Sequence, residues 1–202
     1  MTAPHPPPLA SIPRWQRALV GYPGICLAAL WGAAEATFFF VVPDVLLSFV
    51  AILEWPRTWK HVVAAIAGAA LGGALLFHWA SVEPRRARAA VGSVPFIRES
   101  MFTKADEGLR ERGLFSVFLG SVSGLPYKLY AVQAPHYFRA HHSLLATPLA
   151  RAVRFLLIWI GFGAAALGLR STFPRSKPWL PAIYAALWII SYALYWGRIL
   201  AG

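Results

Sequence analysis

Apolar residues in this chain come in long unbroken blocks rather than alternating with polar ones. Blocks of this length read as membrane-crossing helices, because about 20 apolar residues span the hydrocarbon of a bilayer. From Ile25 to Leu53 the ionisable side chains are Glu35 and Asp44, apart from Cys26. Pro43 interrupts that block. Two readings fit: one long bent helix, or two half-helices that break near Pro43 and enter and leave on the same side. Val62 to Val82 carries His78 as its one ionisable group and predicts a single crossing of roughly 30 Å. Gly68, Gly72 and Gly73, with Ala64, Ala65 and Ala69, give that helix a small-residue face for close approach to a neighbour.

Glu83 to Gly113 is charged, with Phe96, Ile97, Met101, Phe102 and Leu109 set among the charges. It reads equally as an amphipathic surface helix or as a connecting loop. Leu114 to Pro135 is apolar again, broken by Gly124-Leu125-Pro126, with Lys128 just beyond. His136 to His142 is a polar link, with His141 and His142 expected in a loop. Leu144 to Leu169 carries Arg151 and Arg154, Arg170 to Lys177 is a basic link, and a last span covers 179–200. Trp179, Trp188, Tyr192, Tyr195 and Trp196 on it are partly the aromatics expected at membrane interfaces. Residues 1–17 are proline-rich and predict a short disordered tail. The organisation expected is thus a tail, then one transmembrane domain over 18–202. Within it lie broken segments at 25–53 and 114–135, helices at 62–82, 144–169 and 179–200, and a connector at 83–113.

The two halves echo one another. Each has an apolar run interrupted around a proline with a charge beside it, followed by a further apolar helix. That pattern predicts an all-α integral membrane protein with two re-entrant helical hairpins in an inverted repeat. Ordinary helices kinked by proline are the alternative.

Composition agrees with a membrane protein. Hydrophobic residues are 58% and charged residues 13%, with a mean hydropathy of +0.55, which excludes disorder and disfavours an ordinary soluble enzyme. The net charge is +11. The basic residues fall mainly between the apolar runs, where they meet lipid headgroups rather than nucleic acid. Cys26 is the single cysteine, so neither an internal disulfide nor a cysteine zinc cluster can form.

Five charges sit inside apolar runs: Glu35, Asp44, Lys128, Arg151 and Arg154. A charge at the bilayer centre costs roughly 2.5–3.5 kcal/mol on insertion scales, so such residues are expected to pair or to work. Two acids lie in the first half and three bases in the second, and pairing lowers the cost of both sets. Arg151 and Arg154 are three apart and share a helical face. Arginine forks beside a lysine suit a phosphate headgroup, and carboxylates there can exchange protons or repel the anion after release. Snorkelling of the bases to the interface, and a purely structural ion-pair cluster, are the alternatives for these residues. No catalytic residue, metal site or cofactor is expected. Gly120-Ser121-Val122-Ser123-Gly124 is not G-x-S-x-G, because Val122 holds the middle position.

At these residues the chain resembles the DedA/VTT superfamily of membrane proteins, and most closely its YqaA-like branch. The resemblance rests first on the Glu–aromatic–Pro–Asp segment, here Glu35-Ala36-Thr37-Phe38-Phe39-Phe40-Val41-Val42-Pro43-Asp44. It rests next on Ser123-Gly124-Leu125-Pro126-Tyr127-Lys128 and on the R-x-x-R-F segment Arg151-Ala152-Val153-Arg154-Phe155. Phe40, Val42 and Gly124 stand where the branch has prolines, and Pro135 where it has glycine, while the charged positions are all kept.

The resemblance implies two re-entrant hairpins meeting near the midplane, turning at Pro43, Gly124 and Pro126. It implies an integral protein of the bacterial cytoplasmic membrane whose partners are phosphate-bearing lipids. The function expected is a translocase or scramblase for an anionic or polyprenyl-phosphate lipid, coupled to protons. Glu35 and Asp44 are then the proton-coupling or anion-releasing residues, and Lys128, Arg151 and Arg154 the headgroup-binding ones. A structural or assembly protein without transport and a lipid-modifying enzyme are the alternatives.

Overall fold

Residues 13–173 and 179–201 are described by the computed structural model. They are helical, with no strand among them. The helices are α1 (Arg14–Val20), α2 (Tyr22–Thr37), α3 (Asp44–Glu54), α4 (Trp59–Val82), α5 (Pro84–Gly92), α6 (Glu99–Arg112), α7 (Phe115–Ser123), α8 (Tyr127–Gln133), α9 (Ala140–Thr172) and α10 (Leu180–Ala201).

The apolar block at 25–53 is two helices, not one bent helix. α2 ends where Thr37 turns its hydroxyl back to the carbonyls of Ala33 and Ala34. Phe39 N–H reaches back to Ala34, and Trp31 Nε1 donates to Val41 O at 2.9 Å, which fixes the non-helical stretch. Pro43 then caps α3, where its missing N–H loses nothing. The second block breaks in the same way. Gly124 ends α7 at φ 85°, a left-handed conformation that costs glycine little, and Pro126 caps α8. At 1.5 Å per residue α3 is about 16 Å long and α8 about 10 Å, well short of a bilayer's hydrocarbon.

Two helices are long and apolar enough to cross a membrane, Trp59–Val82 and Ala146–Thr172. A third crossing arises if α1 and α2, bent by 54° at Gly21, act as one span. α10 is apolar over Leu180–Tyr195. These helices turn apolar side chains outward: Leu71 and Leu75 on α4, Leu157 and Ile160 on α9, Ile183 and Ile190 on α10. In water such faces would be unsatisfied; in lipid they are matched.

α2 lies tightly along α4, α4 against α9, and α9 against α3. The small-residue face expected on α4 is the reason for the first contact. A Cβ on Gly68 would fall 1.9 Å from the Ala29 carbonyl oxygen, and one on Gly72 2.5 Å from that of Ala33. Dispersion contacts between backbones at this range hold helices together where no hydrophobic effect operates. α8 sits in the centre, buried along its whole length against α4, α5, α6 and α7.

Two expectations are corrected and one open reading is decided. The expected tail ran to residue 17, but α1 already starts at Arg14; residues 1–12 lie outside the described residues. The 83–113 connector, open between an amphipathic helix and a loop, is two amphipathic helices. α5 buries Ala87 and Val91, and α6 buries Phe102, Ala105 and Leu109. Glu99 in the first turn of α6 and Arg110 and Arg112 in its last match the helix dipole. His141 and His142 are not in a loop, because α9 starts at Ala140 and takes both into its first turn. Trp188, Tyr192 and Tyr195 line the cavity described next.

Candidate functional site

All five charges expected inside the membrane converge on one place. Glu35 comes from the last turns of α2, Asp44 from the first turn of α3, Lys128 from α8, and Arg151 and Arg154 from α9. Helix breaks bring them together. Each break stops a helix beside the cluster and starts another there, so a charge adjoining a break is carried inward.

Asp44 is 1% exposed, and Arg154 meets it with two donors on one oxygen, Nε at 2.8 Å and Nη2 at 2.6 Å from Oδ2. The third arm of Arg154, Nη1, donates to Ser121 O at 2.8 Å, where α7 approaches its end. One guanidinium therefore ties α3, α9 and α7 together. Arg151 is buried beside Glu35, its Nη2 2.7 Å from Oε2. That pair is close but off hydrogen-bond alignment. Glu35 Oε2, Arg151 Nε and Nη2, and Asp44 Oδ1 have no hydrogen-bond partner among the described residues. The face of Tyr127 lies 4.9 Å from the Arg151 guanidinium, and the Tyr127 hydroxyl bonds with that of Thr147. Lys128, 2% exposed, donates from Nζ to Phe39 O at 2.6 Å.

Beside the cluster lies a cavity of about 290 Å³. Its polar wall is Glu35, Lys128, Arg151 and Arg154, and its apolar walls include Phe40, Leu125 and Trp188. Val94 to Ile97, the turn between α5 and α6, closes another side. Phe96 there has φ 69°, a left-handed conformation that a bulky residue rarely adopts, and its ring lies 5.9 Å from that of Phe40. Gly124 and Pro126 line the cavity directly, whereas Pro43 is buried just behind it, with Val42 forming the wall.

α10 supplies the remaining wall through residues at helical spacing. Tyr184 donates to Val45 O, Trp188 Nε1 to Ser48 Oγ at 3.2 Å, and Tyr195 to Gly124 O at 3.2 Å. Tyr192 accepts from Val42 N–H at 3.2 Å. Backbone groups freed by both breaks are thus satisfied by one helix, as low-dielectric surroundings demand. Sequence reading missed this role. The spacing 184, 188, 192, 195 was its one signal, a polar-tipped aromatic stripe on a single face. The carbonyl of Phe39 and the 94–97 turn had no sequence signal, since both act through backbone placement.

Among the described residues no group of three or more His, Cys, Asp or Glu is placed to hold a metal. Cys26 is exposed and free. No family model, curated protein or solved structure matches the chain.

Proposed function

We propose that this chain is a membrane-embedded translocase for a lipid with an anionic phosphate headgroup. One observation carries the reading: a buried cluster of three cations and two carboxylates opens into a cavity whose other walls are apolar. A ligand that fits both parts has a compact anionic head joined to a hydrocarbon body. The cavity suits a headgroup and leaves the acyl chains in the bilayer. Asp44 now occupies the Arg154 fork and Glu35 pairs with one arm of Arg151, so entry of the anion and release of the carboxylates are one exchange. Where the headgroup brings a second negative charge, protonation of Glu35 or Asp44 favours that exchange by freeing its arginine, and reionisation expels the anion.

The finer architecture belongs to the same proposal. α2–α3 and α7–α8 are two re-entrant hairpins of an inverted repeat, meeting at the cluster. Their lengths and matched breaks support this. The resemblance to the DedA/VTT superfamily, YqaA-like branch, supports both the lipid substrate and a bacterial cytoplasmic membrane.

A structural role is the second reading, favoured by Arg154 alone joining three helices. Reconstitution separates the two. Purified protein in liposomes should move a fluorescent anionic phospholipid between leaflets. Arg151→Lys and Arg154→Lys should slow it at least tenfold while the helical content holds, because ammonium cannot replace the two-donor fork. Wild-type rates in well-folded variants would exclude the translocase mechanism.

A further inference from the structure

The cluster has a definite charge count, and the count selects the ligand. Three elements carry cations or carboxylates against one another here: α2 with Glu35, α3 with Asp44, and α9 with Arg151 and Arg154. α8 adds Lys128 and the Tyr127 hydroxyl, and α10 adds the Tyr192 hydroxyl. α4, packed behind α8, presents Gly73 to Tyr127 and no charge. With all five side chains ionised, three positive charges face two negative ones. Arg154 is committed to Asp44, Arg151 is matched to Glu35, and Lys128 has a neutral carbonyl as its hydrogen-bond partner. The site therefore holds one net positive charge. It also holds a donor still open to a ligand: Arg151 lines the cavity, and its buried Nε lacks a hydrogen-bond partner among the described residues.

We propose that this site takes a phosphate carrying a single negative charge, and that a doubly charged phosphate enters only together with one proton. This rests on the lipid-phosphate reading and narrows it to a class. A phosphodiester headgroup carries one charge at all physiological pH values and neutralises the site as it stands. A phosphomonoester carries close to two, its second ionisation falling near pH 6. Bound as a dianion it would leave a buried charge unmatched, which a low-dielectric site resists by changing protonation. The proton goes to the phosphate or to Glu35 or Asp44, and the balance is the same: one proton from water enters with each phosphomonoester. A phosphodiester lipid therefore binds without the extra proton, and a phosphomonoester lipid binds as a proton-coupled substrate.

The test is calorimetry on the whole chain in detergent at pH 7. Titrations are repeated in buffers of different ionisation enthalpy, so that protons taken up per ligand are counted. The probes are dihexanoyl phosphatidylglycerol, dihexanoyl phosphatidate and inorganic phosphate. Phosphatidate is expected to take up about one proton more than phosphatidylglycerol. Glu35→Gln adds one net positive charge, so the difference between the two lipids should vanish. Asp44→Asn makes the same change from the other carboxylate, and Lys128→Gln makes the opposite one, so that phosphatidylglycerol itself then brings a proton.

Equal proton uptake for both lipids in the wild-type protein overturns the charge count while leaving the lipid reading intact. A full-proton difference that persists in Glu35→Gln or Asp44→Asn overturns it equally. Inorganic phosphate binding as tightly as phosphatidate overturns the lipid half and leaves the count standing. Failure of every probe to bind overturns both.

Discussion

Lys128 on α8 donates a 2.6 Å hydrogen bond to the carbonyl of Phe39, which lies in the break between α2 and α3. The charge beside the second break thus satisfies a backbone acceptor freed by the first. The two broken segments are not merely similar in pattern; the second completes the first. Lys128→Met keeps much of the stem's apolar contact and removes the donor, leaving the part-buried Phe39 carbonyl without it. A loss of about 1–3 kcal/mol of stability is expected, read as a lowered midpoint of thermal unfolding in detergent. An unchanged midpoint would show that the bond contributes nothing.

Asp44 and Arg154 should behave as one unit. Either Asp44→Asn or Arg154→Met leaves a buried partner uncompensated and is expected to cost about 3–5 kcal/mol. The double variant should cost clearly less than the sum, because it removes both charges at once. Strict additivity in the cycle would mean that the 2.6 Å contact carries no coupling.

Backbone contact between α2 and α4 sets a steric test. Gly68→Leu places its first side-chain carbon against the Ala29 carbonyl and should force the helices apart, with loss of monodisperse protein on size-exclusion chromatography. Gly161 in α9 is the control, because nothing lies within 4 Å of a Cβ added there. Gly161→Ala should hold or gain about 0.5–1 kcal/mol, as alanine replaces glycine within a helix.

Removing the α10 hydroxyls should loosen the cavity wall without emptying the core. Tyr192→Phe and Tyr195→Phe each delete one bond to a break, worth about 0.5–1.5 kcal/mol. With Cys26 changed to Ser, a cysteine at Val42 reports on the wall through its rate of thiol labelling. That rate should rise severalfold in the double Phe variant and stay unchanged in a Leu187→Ala control on the outward face.

Much of the architecture was legible because membranes impose simple rules. Val62–Val82 read as a crossing from length and polarity alone, and α4 extends it only by residues 59–61. Pro43, Gly124 and Pro126 marked both breaks through backbone chemistry that does not depend on neighbours. The cost of a buried charge pointed to Glu35, Asp44, Lys128, Arg151 and Arg154, and the structure brings all five together. What the sequence hid was pairing and direction. Nothing in the order of residues says that Glu35 meets Arg151 while Asp44 meets Arg154, since either arginine lies on the same face. Trp188 and Tyr192 were ambiguous because an aromatic with a polar tip suits a membrane interface and a buried backbone group equally well. The 83–113 segment was ambiguous because its apolar residues are few, and only packing against α7 and α8 reveals which face they form.

α10 follows every residue it binds in the order of synthesis. Tyr192 comes 150 residues after Val42, and Tyr195 comes 71 after Gly124. At roughly 5–20 residues per second, the first break waits about 8–30 s for its partner. The Val42 N–H lacks its tyrosine for that interval, and the Gly124 carbonyl lacks its own for about 4–14 s. Until α10 is in place two polar backbone groups at the breaks lack the partners they have in the finished chain. A chain arrested before Trp179 should therefore be cut by a membrane protease faster than the finished one, and Tyr192 and Tyr195 are the residues whose arrival ends that exposure.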